Sequence, residues 1–223
     1  MIDTHLQVDD QAAGSQHDLF EAIATELRDK GYSITPNGVP MVLAEALWGH
    51  VQSMSTQQFA PAGIGRDDKH ALNTFVRTDA ICWITGESRA GRQWLNWMAE
   101  LQHYLNRHLL LGLFSFESHF AHYAPGDFYK RHVDAFRGEA NRVLTVVVYL
   151  NPGWQPEDGG ELVIYPDDVE QGSIRVTPAF GTLVVFLSED FPHEVLPAQR
   201  DRYSIAGWFR LNTSTSDRVD PPR

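Results

Sequence analysis

Cysteine is nearly missing from this sequence: Cys82 stands alone among 223 residues, which excludes an internal disulfide. Its apolar setting, VRTDAICWI, makes it a small packed residue in a reducing compartment rather than a nucleophile. Long hydrophobic runs are missing too. No stretch approaches the roughly 18 apolar residues of a membrane span, and the opening MIDTHLQVDDQ is polar and acidic where an export signal is basic and then apolar. A cytoplasmic protein with no membrane partner is the expectation. Basic charge is in short supply as well: 18 Lys and Arg face 29 Asp and Glu, a net charge of −11. That balance opposes attraction to a phosphate backbone, so nucleic acid is not an expected partner.

What is present suits one globular domain, with 43% hydrophobic residues and no internal repeat. A monomer is expected. Residues 1–14 lack hydrophobic periodicity and read as a flexible tail. Ser15 followed by Asp18 resembles a capping box, Leu19, Ile23 and Leu27 recur at helical spacing, and Gly31 offers a left-handed stop. A second helix is predicted over about 41–54 from Leu43, Leu47 and Val51. A third runs from Ser88 to about Leu110, with Trp94, Trp97, Met98, Leu101 and Leu105 on one stripe. Between them, the polar, glycine-rich stretch 57–73 reads as a long exposed loop, and RTDAICWI as a strand.

From Phe114 the pattern turns to short β-rich runs: FESHFAHYA, KRHVDAF, RVLTVVVYLN, GELVIYP, IRVTP, GTLVVFL, HEVLP and RYSIAGWFRL. Such spacing predicts a sandwich or barrel. Helices first and strands later make an α+β fold, one domain over 15–211 with helical support over about 15–110 and the β core over about 114–211. Residues 212–223 read as a second flexible tail.

KRHVDAF sets His132 and Asp134 two residues apart, a spacing that puts both on one face of a strand. Alone, that tripeptide is weak evidence. His193 in FPHEV supplies a third donor, and two histidines with one carboxylate occupy one triangular face of an octahedral ion. Zinc prefers tetrahedral closure, whereas Fe(II) uses the open positions for a 2-oxo acid and dioxygen. Arg202 follows nine residues after His193, across a turn, and is expected to open the adjacent antiparallel strand. Its fork suits the far carboxylate of 2-oxoglutarate. Arg202, Ser204, Ala206 and Trp208 then line the pocket, while Tyr203, Ile205 and Phe209 pack on helices. Thr145 and Tyr149 share a face on which hydroxyls reach a bound carboxylate, or satisfy backbone groups. His119 and His122, three apart on one strand, face opposite sides and are not joint ligands.

HYAPGDFYKRHVD, RVLTVVVYLNPGW, DGGELVIYP, FPHEV and DRYSIAGWF together resemble the Fe(II)- and 2-oxoglutarate-dependent prolyl 4-hydroxylases, in particular bacterial relatives of the oxygen-sensing hydroxylases of hypoxia-inducible factor. The resemblance runs from about Arg77 to Phe209. It implies a double-stranded β-helix, or jelly roll, with the N-terminal helices packed on one outer sheet face. It implies His132, Asp134 and His193 as iron ligands, Arg202 as the 2-oxoglutarate anchor assisted by Tyr149, and Tyr123 near the metal. Ser204 departs from the oxygen-sensor pattern and is similar instead to the arginine-x-serine pair of other oxygenases, which contacts co-substrate. Arg142, Trp208 and Tyr129 match positions facing a prolyl substrate, and 57–73 a loop that closes over it. The implied reaction consumes O2 and 2-oxoglutarate and gives 4-hydroxyproline, succinate and CO2. The partner is a protein with a target proline, translation elongation factor Tu being the candidate in the bacterial branch. A small-molecule or free-amino-acid hydroxylase and a non-catalytic metal-binding sensor are the competing readings.

Overall fold

A computed structural model describes residues 6–63, 75–135 and 141–213, with side chains from Ser15 onward. Helix α1 (Leu6–Lys30) leads into strand β1 (Tyr32–Thr35), α2 (Met41–Ser53), β2 (Ala60–Pro61), β3 (Ala80–Trp83) and α3 (Arg89–Leu109). Eight strands then follow: β4 (Ser115–Tyr123), β5 (Tyr129–His132), β6 (Arg142–Tyr149), β7 (Leu162–Ile164), β8 (Ile174–Val176), β9 (Leu183–Leu187), β10 (His193–Val195) and β11 (Arg202–Arg210). They correspond one for one to the β-rich runs of the sequence. A seven-stranded sheet, in the order β1-β9-β6-β11-β4-β3-β2, faces a four-stranded sheet, β5-β10-β7-β8. Every pairing is antiparallel. This is the double-stranded β-helix.

Period-two alternation splits the core into two layers. Leu144, Val146, Val148, Ile205 and Phe209 point outward from the large sheet and pack with Ile23, Leu27, Leu47, Trp94, Met98 and Leu101 of the helices. Val147, Tyr149, Ala121 and Tyr123 point the other way, against Leu162, Ile164 and Val195 of the small sheet. The helices therefore cover one outer face, as expected. Helix α3 starts where the Ser88 hydroxyl accepts from the Gly91 amide at 2.9 Å, and it ends with Leu110 in the left-handed region at φ 56°.

Several expectations change. Helix α1 begins at Leu6, not near Ser15, so 6–14 continue the helix and are not a loose tail. Ala12 and Ala13 are strong helix formers, and Asp9 and Asp10 suit an N-terminal turn; these outweigh the local capping signal at Ser15. Part of the 57–73 stretch is ordered structure: a 3-10 turn over Thr56–Gln58 and β2, which pairs with Ala80 and Ile81. Its remainder, 64–73, lies outside the described residues, as do 1–5 and 214–223 of the two tails. Cys82 is half-buried on β3 and burial pushes its thiol up, in keeping with an unreactive side chain.

Candidate functional site

Two short strands of the small sheet set the centre. His132 ends β5 and His193 opens β10, and the two are direct partners across that pair. Each ring is oriented by a backbone carbonyl two residues back: His132 Nδ1 lies 2.8 Å from Lys130 O and His193 Nδ1 lies 2.9 Å from Phe191 O. Donation there leaves each Nε2 with a lone pair. Asp134 lies past the end of β5, so the i and i+2 strand spacing is not what delivers it; the chain bends after His132 and turns the carboxylate back. Its Oδ1 is 3.6 Å from His132 Nε2 and its Oδ2 is 3.6 Å from His193 Nε2. Both separations exceed a hydrogen bond. Donor atoms of the three residues all lie within 4.8 Å of one another.

Charge states suit a divalent cation. Burial alone raises the Asp134 carboxyl, but the flanking His193 and His132 rings, with Arg142, hold it well below the ordinary carboxylate range. Burial, helped by His132 and opposed by Asp134, takes His193 down to about 4, so the ring is neutral near pH 7. Two imidazoles and one carboxylate are the donor set that Fe(II) takes on one face.

Thr145 is engaged by protein groups. Its hydroxyl donates to Asp134 Oδ2 at 2.8 Å and lies 2.9 Å from the buried Ser188 hydroxyl. Ser188 carried no signal in the sequence. Thr145→Val keeps the volume and removes the donor, and is expected to weaken metal affinity about 10–100-fold, the usual cost of losing a supporting partner. Titration of the purified variant with Fe(II) under argon checks it.

Across the sandwich, the large sheet presents Arg202, 1% exposed. The sequence placed it on the strand adjacent to His193; instead β10 belongs to the small sheet and β11 to the large one, so the two residues stand on opposite sheets. Arg202 Nε donates to Gly160 O at 2.9 Å and Nη1 to Ser204 Oγ at 3.2 Å. Gly160 sits at φ 70°, and a Cβ there would fall 2.9 Å from Ala198 Cβ and 3.1 Å from Arg202 Cδ, which explains the glycine in DGGEL. Ser204 therefore positions the guanidinium within the protein. The Tyr123 and Tyr149 rings flank it, with Arg202 Cζ 4.9 and 5.1 Å from their centroids. Among the described residues, no carboxylate pairs with Arg202. The Tyr149 hydroxyl is fully buried with no acceptor for its proton, and burial, opposed by the charge of the neighbouring Arg202 and by that guanidinium's approach to the phenol oxygen, pushes the phenol up to about 12, so it remains a donor. A buried cation and an orphaned donor side by side call for an anionic acceptor. The residues present therefore fit a dicarboxylate.

The remaining wall is aromatic. Arg142 lies 3.5 Å over the Trp208 ring and is paired to Glu117 at 3.0 Å, while Trp208 Nε1 is buried with no partner. His119 stands between Trp83 and Trp208, with ring centroids 5.3 and 5.5 Å away. His122 faces the opposite side, stacked on Tyr203, as its spacing required. Tyr129 stacks directly on His132.

Burial, with Arg77 adding and Asp79 opposing, holds His119 down to about 4 from an ordinary 6.5. The unfolded ring takes a proton first as acid is added. Stability from this group is thus intact above pH 6.5 and is lost as pH falls from about 6.5 to about 4, by about 3 kcal/mol in all. His119→Phe keeps an aromatic wall and removes the titration. Urea unfolding at pH 7 and pH 4.5 is expected to show a shallower acid loss in the variant than in the parent.

Chemically, the pocket can hold a divalent ion with open positions and seat a dicarboxylate beside it, which defines an Fe(II)- and 2-oxoglutarate-dependent dioxygenase. Residues 118–210 match the 2OG-Fe(II) oxygenase superfamily. A Pseudomonas putida prolyl-4-hydroxylase structure is 40% identical, with TM-score 0.77, over 86% of this chain and 98% of that one. A Trichoplax adhaerens prolyl hydroxylase, solved in complex with a hypoxia inducible factor oxygen degradation domain peptide fragment, is 26% identical, with TM-score 0.78, over 93% and 94% of the two chains. The human Egl nine homolog 1 is 32% identical over 143 residues, 60% of this chain and 33% of that protein, so the chain spans about a third of that curated relative. The chain belongs to the 2OG-Fe(II) oxygenase superfamily. Among the described residues, no helix is long and apolar enough to cross a membrane.

Proposed function

We propose that the protein hydroxylates carbon 4 of a prolyl residue in a protein substrate, consuming O2 and 2-oxoglutarate and releasing succinate and CO2. The observation that carries this reading is the likeness to a prolyl-4-hydroxylase at 40% identity over 98% of that chain. In this reading His132, Asp134 and His193 hold the iron. Arg202 receives the far carboxylate of 2-oxoglutarate, and Tyr149 donates its free hydroxyl to the same group. Ser204 holds Arg202, and Thr145 holds Asp134. When bound, the ferrous ion with its co-substrate and dioxygen supplies the oxidation of an unactivated C–H bond. This chain contributes orientation and a dry enclosure: Tyr123, Tyr149 and Trp208 are all 7% exposed or less. Trp208, Arg142 and Tyr129 form the side on which the prolyl segment lies.

The reading extends to a cytoplasmic monomer acting through a single domain that begins with α1 and runs to about residue 211, with translation elongation factor Tu as the candidate substrate. Incubation of the iron-loaded protein and 2-oxoglutarate with elongation factor Tu, with proline-containing peptides and with free proline tests it by mass spectrometry. A gain of one oxygen on a prolyl residue, with matching succinate, is expected. Oxygen gained by free proline alone moves the function to a small-molecule hydroxylase, and no succinate with any substrate leaves a metal-binding sensor.

A further inference from the structure

His132 is weakly held by its own strand. Strand β5 has four residues, lies at the edge of the small sheet, and pairs with β10 through an irregular register in which His193 faces His132 but Val195 faces Tyr129. A ligand at the frayed end of an edge strand needs outside support to keep its ring fixed. The support comes from the chain just before β3. Lys130 N donates to Val76 O at 2.8 Å and Thr78 N to Phe128 O at 3.1 Å, with Arg77 bridged to Tyr129 between them. Residues 76–78 thus run antiparallel along the open edge of β5.

Side chains continue the support to the metal ligand. The Tyr129 ring stacks on His132 at 3.6 Å between centroids, with 14° between planes. Arg77 Cζ lies 4.3 Å from the Tyr129 centroid. With His132 at van der Waals contact on one face of the phenol, the planar guanidinium takes the other. Arg77 is itself fixed by a fork onto Asp79, Nε to Oδ1 at 2.7 Å and Nη2 to Oδ2 at 2.6 Å, and the Asp79 side chain is fully buried. Such a bidentate pair leaves the guanidinium little freedom.

We propose that Arg77, locked by Asp79, is a positioning residue for the metal ligand His132 and acts through the Tyr129 ring. Donation from His132 Nδ1 to Lys130 O fixes the rotation of the ring about its own axis, and the stack fixes the tilt of its plane. Together they aim Nε2 at Asp134. Arg77 touches neither metal nor substrate in this role. The inference rests on the His–Asp–His centre as the metal site, and the control below separates the two.

The test is Mn(II) binding to the metal-free full-length protein, read by electron paramagnetic resonance of free Mn(II), with no substrate present. Tyr129→Leu removes the stack without stranding a charge. The double variant Arg77→Met, Asp79→Asn removes the clamp without leaving Asp79 buried and unpaired, which Arg77→Ala alone would do. Both are expected to weaken Mn(II) binding about 10-fold or more. Tyr129→Phe retains the stack and should stay within about twofold of the parent. Parent-like affinity in either disruptive protein overturns the proposal, and so does a loss in Tyr129→Phe as large as in Tyr129→Leu. His132→Ala is the control: parent-like affinity there would overturn the metal site itself, while lost binding there with an unaffected Tyr129→Leu would overturn the clamp alone.

Discussion

Asp134→Ala is expected to purify without iron and to form no succinate at any ferrous concentration that saturates the parent. The carboxylate is the one negative charge in the cluster, and it faces both imidazoles at 3.6 Å. Removing it leaves two imidazoles, which by themselves rarely hold a labile divalent ion. The size of the loss distinguishes roles. A supporting residue such as Thr145 costs about 10–100-fold in affinity, so a ligand must cost clearly more. Asp134→Asn makes the sharper version, since the amide keeps the shape and can still accept from Thr145 while losing the charge. Iron content near the parent's in either variant, measured by ferrozine assay after gel filtration, would place the metal elsewhere.

Arg202→Met is expected to weaken 2-oxoglutarate binding by roughly 2–4 kcal/mol, the value of a charge-assisted, bidentate carboxylate pair. That corresponds to a rise of about 30- to 1000-fold in Kd. Arg202→Lys recovers a part, because a point charge cannot reproduce the fork and cannot keep the bonds to both Gly160 and Ser204. The same substitution carries a second, opposite signature. A guanidinium 1% exposed, with no carboxylate paired to it among the described residues, is a cost to the co-substrate-free fold. Its replacement by an apolar side chain of similar length is expected to leave the unfolding midpoint unchanged or raise it, while abolishing the stabilisation that added 2-oxoglutarate gives the parent. Isothermal titration and thermal unfolding with and without 2-oxoglutarate read both effects. A sharp fall in the co-substrate-free midpoint would mean that the protein itself satisfies Arg202.

Much of this was legible locally. Alternation in RVLTVVVYLN sorts Leu144, Val146 and Val148 to the helices and Thr145, Val147 and Tyr149 to the pocket, and both sets lie where alternation puts them. The same holds for Ile205 and Phe209 against Arg202, Ser204 and Trp208 in β11. His132, Asp134 and His193 converge as their chemistry suggested. Two of the site residues nevertheless arrive by a route that local spacing does not show. Asp134 is delivered by a bend beyond β5, and Arg202 meets the site from the opposite sheet. The Thr145 hydroxyl donates to Asp134, a partner that its place on the strand does not reveal. Ser188, Arg77 and Asp79 carry no such local signal: Ser188 meets Thr145 from another part of the chain, and although Arg77 and Asp79 stand two residues apart, nothing in that spacing reports the distant Tyr129 ring on which Arg77 lies.

The amino-acid order by itself determined where the main helices and the eight strands after Phe114 lie, which side of the long strands is apolar, and which donors are available for a metal and a dicarboxylate. All of these follow from periods of 2 and 3.6 residues and from side-chain chemistry, which act over one or two turns of chain. Tertiary structure alone decided which strand lies beside which, that His193 and Arg202 come from different sheets, and that a tyrosine and a locked ion pair back the His132 ring. Those outcomes depend on how eight strands divide between two layers, a choice made by the packing of the whole core.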